Sequence, residues 1–311
     1  MTRRDVVVVG VDGSRESLEA AEWAAARAAA SGWELNIVCA YALPSYTAAS
    51  MDSGFAVVDD DAIEASAQAV VREAADSVKE YDVKVVTLAQ QGDPTGTLVD
   101  LSKTAQIVVV GTRGGGGFAD RLLGATSAAL PAYAHCPVVV VPRHKEGANF
   151  VPVERIVAGV DGSSQASLAL EAAVGEASAW KARLTAVEAV PMASSAGALA
   201  WLPPAIDRSE ILRDVRQQLK ALCDRTTEGT DVDVRSHALD GNAAMLLAEF
   251  STAVDLVVVG SRGRGGVRGL LMGSTSQSVL AHSMCPVMVV PSHHGKSEED
   301  EEQSHVKWKR Q

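Results

Sequence analysis

The 311-residue chain is an internal duplication. Gly10-Val11-Asp12-Gly13-Ser14 recurs as Gly159-Val160-Asp161-Gly162-Ser163, and Val108-Val109-Val110-Gly111 as Val257-Val258-Val259-Gly260. Arg113-Gly114 recurs as Arg262-Gly263, and Cys136-Pro137-Val138 as Cys285-Pro286-Val287; every pair is 149 residues apart. One shared offset means that both halves carry one fold. Units of this size are domains with their own cores, not the short repeats of a solenoid. The expected domains are residues 1–146 and 150–293, joined by the polar, glycine-containing stretch Arg143–Asn149. Residues 294–311, with the acidic run Ser297–Glu302, read as a disordered charged tail.

Each half alternates strand and helix. In half one the short valine-rich runs Val6–Val11, Ile107–Gly111 and Val138–Val141 have the continuous apolar character of strands buried on both faces. Leu35–Tyr41 and Val83–Leu88 are further strands. Ser14 is placed to cap a helix running to Ala30, and other helices are predicted over Asp60–Glu80, from Asp93-Pro94, and over Thr126–Ala134. Half two repeats the order with Ile156–Val160, Leu184–Val190, Val232–His237, Leu256–Gly260 and Val287–Val290. This alternation predicts an α/β class: two tandem doubly wound domains, each a five-stranded parallel sheet with helices on both faces. Ligands of such sheets bind beyond the carboxyl ends of the strands, where strand order switches.

Charge and composition narrow the function. A chain 47% hydrophobic and 22% charged is globular. The net charge is −11, and neither half is basic, which argues against a duplex-wrapping nucleic-acid binder. The apolar runs are far short of the ~18 residues of a membrane span. Asp5 interrupts the N-terminus before the first valine run, so no signal peptide is read and a cytoplasmic location is expected. Cys39, Cys136, Cys223 and Cys285 form no CxxC pair and read as buried thiols. No Walker loop, GxGxxG after strand one, HExxH or GxSxG is present.

The loop after strand four holds the chemistry. Half one reads Gly111-Thr112-Arg113-Gly114-Gly115-Gly116-Gly117, then Gly124-Ala125-Thr126. Half two reads Gly260-Ser261-Arg262-Gly263-Arg264-Gly265-Gly266, then Gly273-Ser274-Thr275. Glycines let backbone N–H groups converge on an anion, and the helix that follows offers free N–H groups to phosphate. Arg262, Arg264 and Arg268 add positive charge in half two.

The spacing Gly, two residues, Gly, nine residues, Gly-Ser/Thr resembles the nucleotide-binding pattern of the universal stress protein family. Half two fits it at Gly260, Gly263, Gly273 and Ser274; half one fits at Gly111, Gly114 and Gly124 but has Ala125 in place of Ser or Thr. Asp12 and Asp161, and the Cys-Pro-Val entry to strand five, fit as well. The resemblance covers both halves and implies strand order 3-2-1-4-5, with strand five of one domain pairing with strand five of the other; a homodimer is compatible with it. It also implies ATP, with Mg²⁺, as the ligand. Carried over to this chain, Gly10, Asp12, Gly159 and Asp161 line the nucleotide at the end of strand one, and the two Asp lie near ribose or phosphate-bound Mg²⁺. A turn or capping role for the two Asp is the alternative. Ala40 and Ala189 offer backbone to adenine, and the strand-four loops hold ribose and phosphates; Arg113 and Arg262 contact phosphate or stay solvated.

The expected function is an ATP-binding stress-response regulator, read by a partner protein through its nucleotide-dependent conformation. No base or water-orienting residue for fast phosphoryl transfer is evident, so no catalytic residue is assigned. The alternatives are a nucleotide-free interaction module of the same fold and a slow nucleotide hydrolase. Half two, with Ser274, its extra arginines and a net charge of −3 against −7, is the expected tighter site.

Overall fold

The computed structural model describes residues 3–43, 60–112, 123–143, 150–191, 208–264 and 272–292. Half one runs β1 (Val6–Gly10), α1 (Arg15–Ser31), β2 (Glu34–Tyr41), α2 (Asp60–Ser77), β3 (Val85–Gln91), α3 (Pro94–Ser102), β4 (Ile107–Gly111), α4 (Ala125–Tyr133) and β5 (Val138–Val141). Half two runs β6 (Arg155–Val160), α5 (Ser164–Trp180), β7 (Arg183–Val190), α6 (Arg208–Thr226), β8 (Val234–Asp240), α7 (Ala243–Phe250), β9 (Leu256–Gly260), α8 (Ser274–His282) and β10 (Val287–Val290). The strands form one ten-stranded sheet in the order β3-β2-β1-β4-β5-β10-β9-β6-β7-β8. Pairing is parallel within each half, and β5 and β10 pair antiparallel at the seam.

The valine runs end up where their composition sends them. Val7–Val9, Ile107–Val110, Val138–Val141 and Val287–Val290 are buried, flanked by helices on both faces. One layer is α2-α1-α5-α6, continuous across the seam; α3 with α4, and α7 with α8, cover the other face. Helix starts follow local chemistry. Ser14 Oγ accepts from Ser17 N (3.2 Å) and Ser163 Oγ from Ala166 N (3.1 Å), while Asp93 accepts from Gly96 N (2.8 Å) beside Pro94. The alanines of α1 let it lie close on the sheet, with Ala20, Ala21, Ala24 and Ala28 fully buried.

The outer strands differ from the expectation. β3 was expected over Val83–Leu88 and spans Val85–Gln91; β8 was expected over Val232–His237 and spans Val234–Asp240. The ladder with β2, from Leu35↔Val85 to Tyr41↔Gln91, decides the bounds, not the apolar run. At a sheet edge polar Gln90 and Gln91 are tolerated, and Val83 sits in a turn, its N–H donating to Tyr81 O (2.9 Å). Helix α2 stops at Ser77 rather than Glu80 for the same reason, since the turn into β3 begins there.

All four cysteines are free and buried. No helix among the described residues is long and apolar enough to cross a membrane. The tail 294–311, and the loop residues 113–117 and 265–266, lie outside the described residues.

Candidate functional site

Each half has a concavity at the carboxyl ends of its strands, between strand one and strand four, where the order switches. The half-two cavity is about 590 Å³, within the usual range for small-molecule sites. It gathers Gly159 from β6 and Asp161 just beyond it, Glu188 and Ala189 from β7, Gly260 at the end of β9 with Arg262, Gly263 and Arg264 after it, and Gly273, Ser274 and Thr275 at the start of α8. The half-one cavity, bounded by described residues, is about 220 Å³. It gathers Gly10, Asp12, Ala40, Gly111, Gly124, Ala125 and Thr126. Most of the described sequence-predicted residues therefore line the two cavities; Thr112 and Ser261 do not, and instead accept through their carbonyls the N–H of the glycine at each helix start. Arg113, Gly114, Gly115, Gly116, Gly117, Gly265 and Gly266 lie outside the described residues.

The neck of each strand-four loop is tied. Gly124 N donates to Thr112 O and Gly273 N to Ser261 O, both at 2.8 Å. A serine one turn into the helix adds a second tie: Ser127 Oγ donates to Thr112 O and Ser276 Oγ to Gly260 O, both at 2.7 Å. These two serines were not among the expected site residues; their signal was the shared Thr-Ser pair two and three positions after each Gly. Neither Gly124 nor Gly273 supplies a side-chain cap, and the first residues of α4 and α8 line the cavities. Arg262 also lines the half-two cavity, while its Nε is shielded from solvent and has no hydrogen-bond partner among the described residues.

Asp12 and Asp161 both shape the turn into the following helix. Asp12 Oδ1 accepts from Ser14 N (3.1 Å) and Ser14 Oγ (2.6 Å); Asp161 Oδ1 accepts from Ser163 N (3.0 Å). The glycine between each Asp and Ser is left-handed, with φ +80° at Gly13 and +73° at Gly162, which fixes glycine there. Asp161 Oδ2 accepts from Arg264 N at 2.7 Å and so holds the strand-four loop to strand one.

Gly111 and Gly263, and less tightly Gly260, are held to glycine by the protein itself, whereas a Cβ on Gly273 would meet nothing closer than 3.5 Å. A Cβ on Gly111 would lie 2.7 Å from Glu16 O, in the first turn of α1, and one on Gly260 would lie 3.1 Å from Arg262 O and 3.3 Å from Gln165 O. A Cβ on Gly263 would run into Asp161 Oδ2. The close partners are the chain's own backbone and a carboxylate.

Half two carries one charged group that sequence reading missed. Glu188, with its side chain 8% exposed, lies 3.6 Å from Arg264 Nη2 inside the cavity wall. Burial pushes its carboxyl upward; Arg264 opposes this and Asp161 reinforces it. The equivalent position in half one is Cys39, whose thiol is raised by burial and then by Asp12. Among the described residues no group of three or more His, Cys, Asp or Glu side chains is placed to hold a metal ion. A Mg²⁺ at Asp12 or Asp161 would therefore depend on oxygens brought by the ligand.

Fold and cavities define a tandem doubly wound α/β protein with one carboxyl-edge pocket per half. Two matches to the model of the universal stress protein family, over residues 3–142 and 152–291, show that the chain belongs to that family. Two universal stress proteins of Mycobacterium tuberculosis are similar along nearly their whole length. One is 33% identical over 297 residues, covering 91% of this chain and 96% of the relative; the other is 32% identical over 305 residues, covering 91% and 94%. The crystal structure of a universal stress protein from Archaeoglobus fulgidus shares the fold, with a TM-score of 0.65 at 22% identity, covering 92% of this chain and 98% of that one.

Proposed function

We propose that this universal stress protein binds ATP, foremost in half two, and acts as a cytoplasmic stress-response regulator whose nucleotide-bound form is read by a partner protein. The observation that carries this reading is the half-two cavity floor. There the start of α8, which has no side-chain cap, and the arginines Arg262 and Arg264 line one space of about 590 Å³. A helix start without a side-chain cap, beside two arginines, favours a phosphate. Ser274 adds a hydroxyl at the same place. Gly159, Ala189 and Leu247 form the apolar side suited to a base. Mg²⁺ bound with the phosphates would offset the negative charge of Asp161 and Glu188. No described side chain in the cavity is posed as a general base with a positioned partner, so hydrolysis, where it occurs, is slow.

Half one supports a weaker site: its helix start offers Ala125 without a hydroxyl and its described cavity is smaller. The test is direct. Protein purified without added nucleotide is denatured and the supernatant assayed for adenine nucleotide, and melting is followed with and without millimolar Mg-ATP. Bound adenine nucleotide and a raised melting temperature are expected. An empty supernatant together with an unmoved transition would refute ATP as the ligand.

A further inference from the structure

The seam between the halves is built around a local two-fold axis. Val139 of β5 pairs with Met288 of β10, and these are equivalent positions 149 residues apart. Arg27 of α1 and Glu176 of α5 are equivalent too, and they meet across the same axis. Arg27 Nε donates to Glu176 Oε2 (2.7 Å) and Nη2 to Oε1 (2.9 Å), with the two side chains 4% and 5% exposed. Trp180 Nε1 also donates to Glu176 Oε2 (3.1 Å), Arg27 Nη1 donates to Ser31 Oγ (2.5 Å), and Trp33 lies 4.6 Å beneath the guanidinium.

The flanking positions are as unlike as the central ones. One turn away Trp23 packs on Trp180 with ring centroids 5.9 Å apart. The equivalents of Trp23, Ser31 and Trp33 are Ala172, Trp180 and Ala182. Around the same axis a half one against another half one would set Arg27 on a second Arg27, and Trp23 over Ser31. Two copies of half two would set Glu176 on Glu176, with Trp180 over Ala172. Like charges at a buried axis have no compensation, whereas the unlike pair satisfies both ends with two parallel hydrogen bonds.

We propose that the stripe Trp23-Arg27-Ser31 against Ala172-Glu176-Trp180 is a pairing code: the strand-five face of half one accepts a half two and rejects another half one. The partner it fits is therefore this chain's own second half or, failing that, the second half of another copy. The tether favours the first by effective concentration. A buried ion pair is weak evidence for stability, but discrimination by a repulsive alternative is the use such a pair serves well.

The full-length chain is prepared as R27E, as E176R and as the double variant. Each single variant sets like charges on the axis and should raise the unfolding equilibrium constant roughly a hundredfold or more. The double variant reverses the pair and should return to within a few-fold of the parent, as a single-chain species in gel filtration. R27E and E176R with different tags, unfolded and refolded together, should co-purify as a two-chain assembly, because the acid at position 27 of one meets the base at position 176 of the other. Should either single variant fail to fold alone, the double variant and the co-refolded pair still decide. Single variants as stable as the parent, a double variant no better than the worse single, or co-refolded singles that separate as single chains would each overturn the code.

Discussion

At the scale of single residues, the site's glycines divide into those that serve the fold and those that serve the loop. Gly111 is pressed against backbone of α1, so Gly111→Ala should cost about 1–3 kcal/mol in urea titration, with Gly260→Ala costing less because its nearest contacts are 3.1 Å and 3.3 Å. Glu188 makes a second prediction. Its carboxyl is raised in the fold, so its contribution is fully present below about 4.5, the ordinary value, and is lost as pH rises through the elevated one. Glu188→Gln should therefore be more stable than the parent at neutral pH, with the gap closing below about pH 4.5. It should also bind ATP several-fold more tightly, since one carboxylate leaves the cavity and Arg264 is released; a gap that widens on acidification would contradict the assignment. Cys136 and Cys285 are raised to about 12 by burial and should resist alkylation until the chain unfolds, as counted by mass spectrometry. Much of this site was legible: the glycine spacing, the two Asp and the helix starts stand in the sequence. Glu188 and Arg264 were not read as a pair, because they lie 76 positions apart and only the order of β7, β6 and β9 brings them together.

Among elements, the helix starts at the cavities carry the testable difference between halves. Ser274 in α8 offers a hydroxyl where Ala125 in α4 offers none. A hydrogen bond to a charged group is worth about 1.5–3 kcal/mol; with Thr126 partly compensating in half one, a gap of about tenfold in ATP affinity is expected. Calorimetry on the full chain should show Ala125→Ser strengthening the weaker site and Ser274→Ala weakening the stronger. The caps on the opposite layer act on stability instead: Ser163→Ala should cost about 1 kcal/mol and leave ATP affinity nearly unchanged. Element order and type could be read because valine runs buried on both faces leave little ambiguity, and the duplication supplied each reading twice. The outer strands were misplaced by two or three residues at each end, since an edge strand needs a partner's ladder rather than an apolar sequence.

For the molecule as a whole, the shared sheet makes the halves one cooperative unit. Removing either half would expose Val138–Val141 or Val287–Val290, both fully buried, as an open apolar edge. Calorimetry should accordingly show one transition, with calorimetric and van't Hoff enthalpies in agreement. Saturation of one site with ATP at a hundred times its Kd should add about 2.7 kcal/mol to that transition. The duplication announced that two like domains exist, but nothing in it tells that Arg27 and Glu176, at equivalent positions, meet. Only the axis through Val139 and Met288 turns that difference into a contact.

The antiparallel joint at β5 and β10 also sets where the molecule can be read. All strands of half one run one way and all strands of half two the other, so the two carboxyl edges, and the pockets on them, lie on opposite rims of the sheet. A globular body docked on one rim touches a single pocket and is screened from the other by the thickness of the protein. One chain therefore has two separate faces for recognition, and bodies attached to both would be bridged by it, back to back.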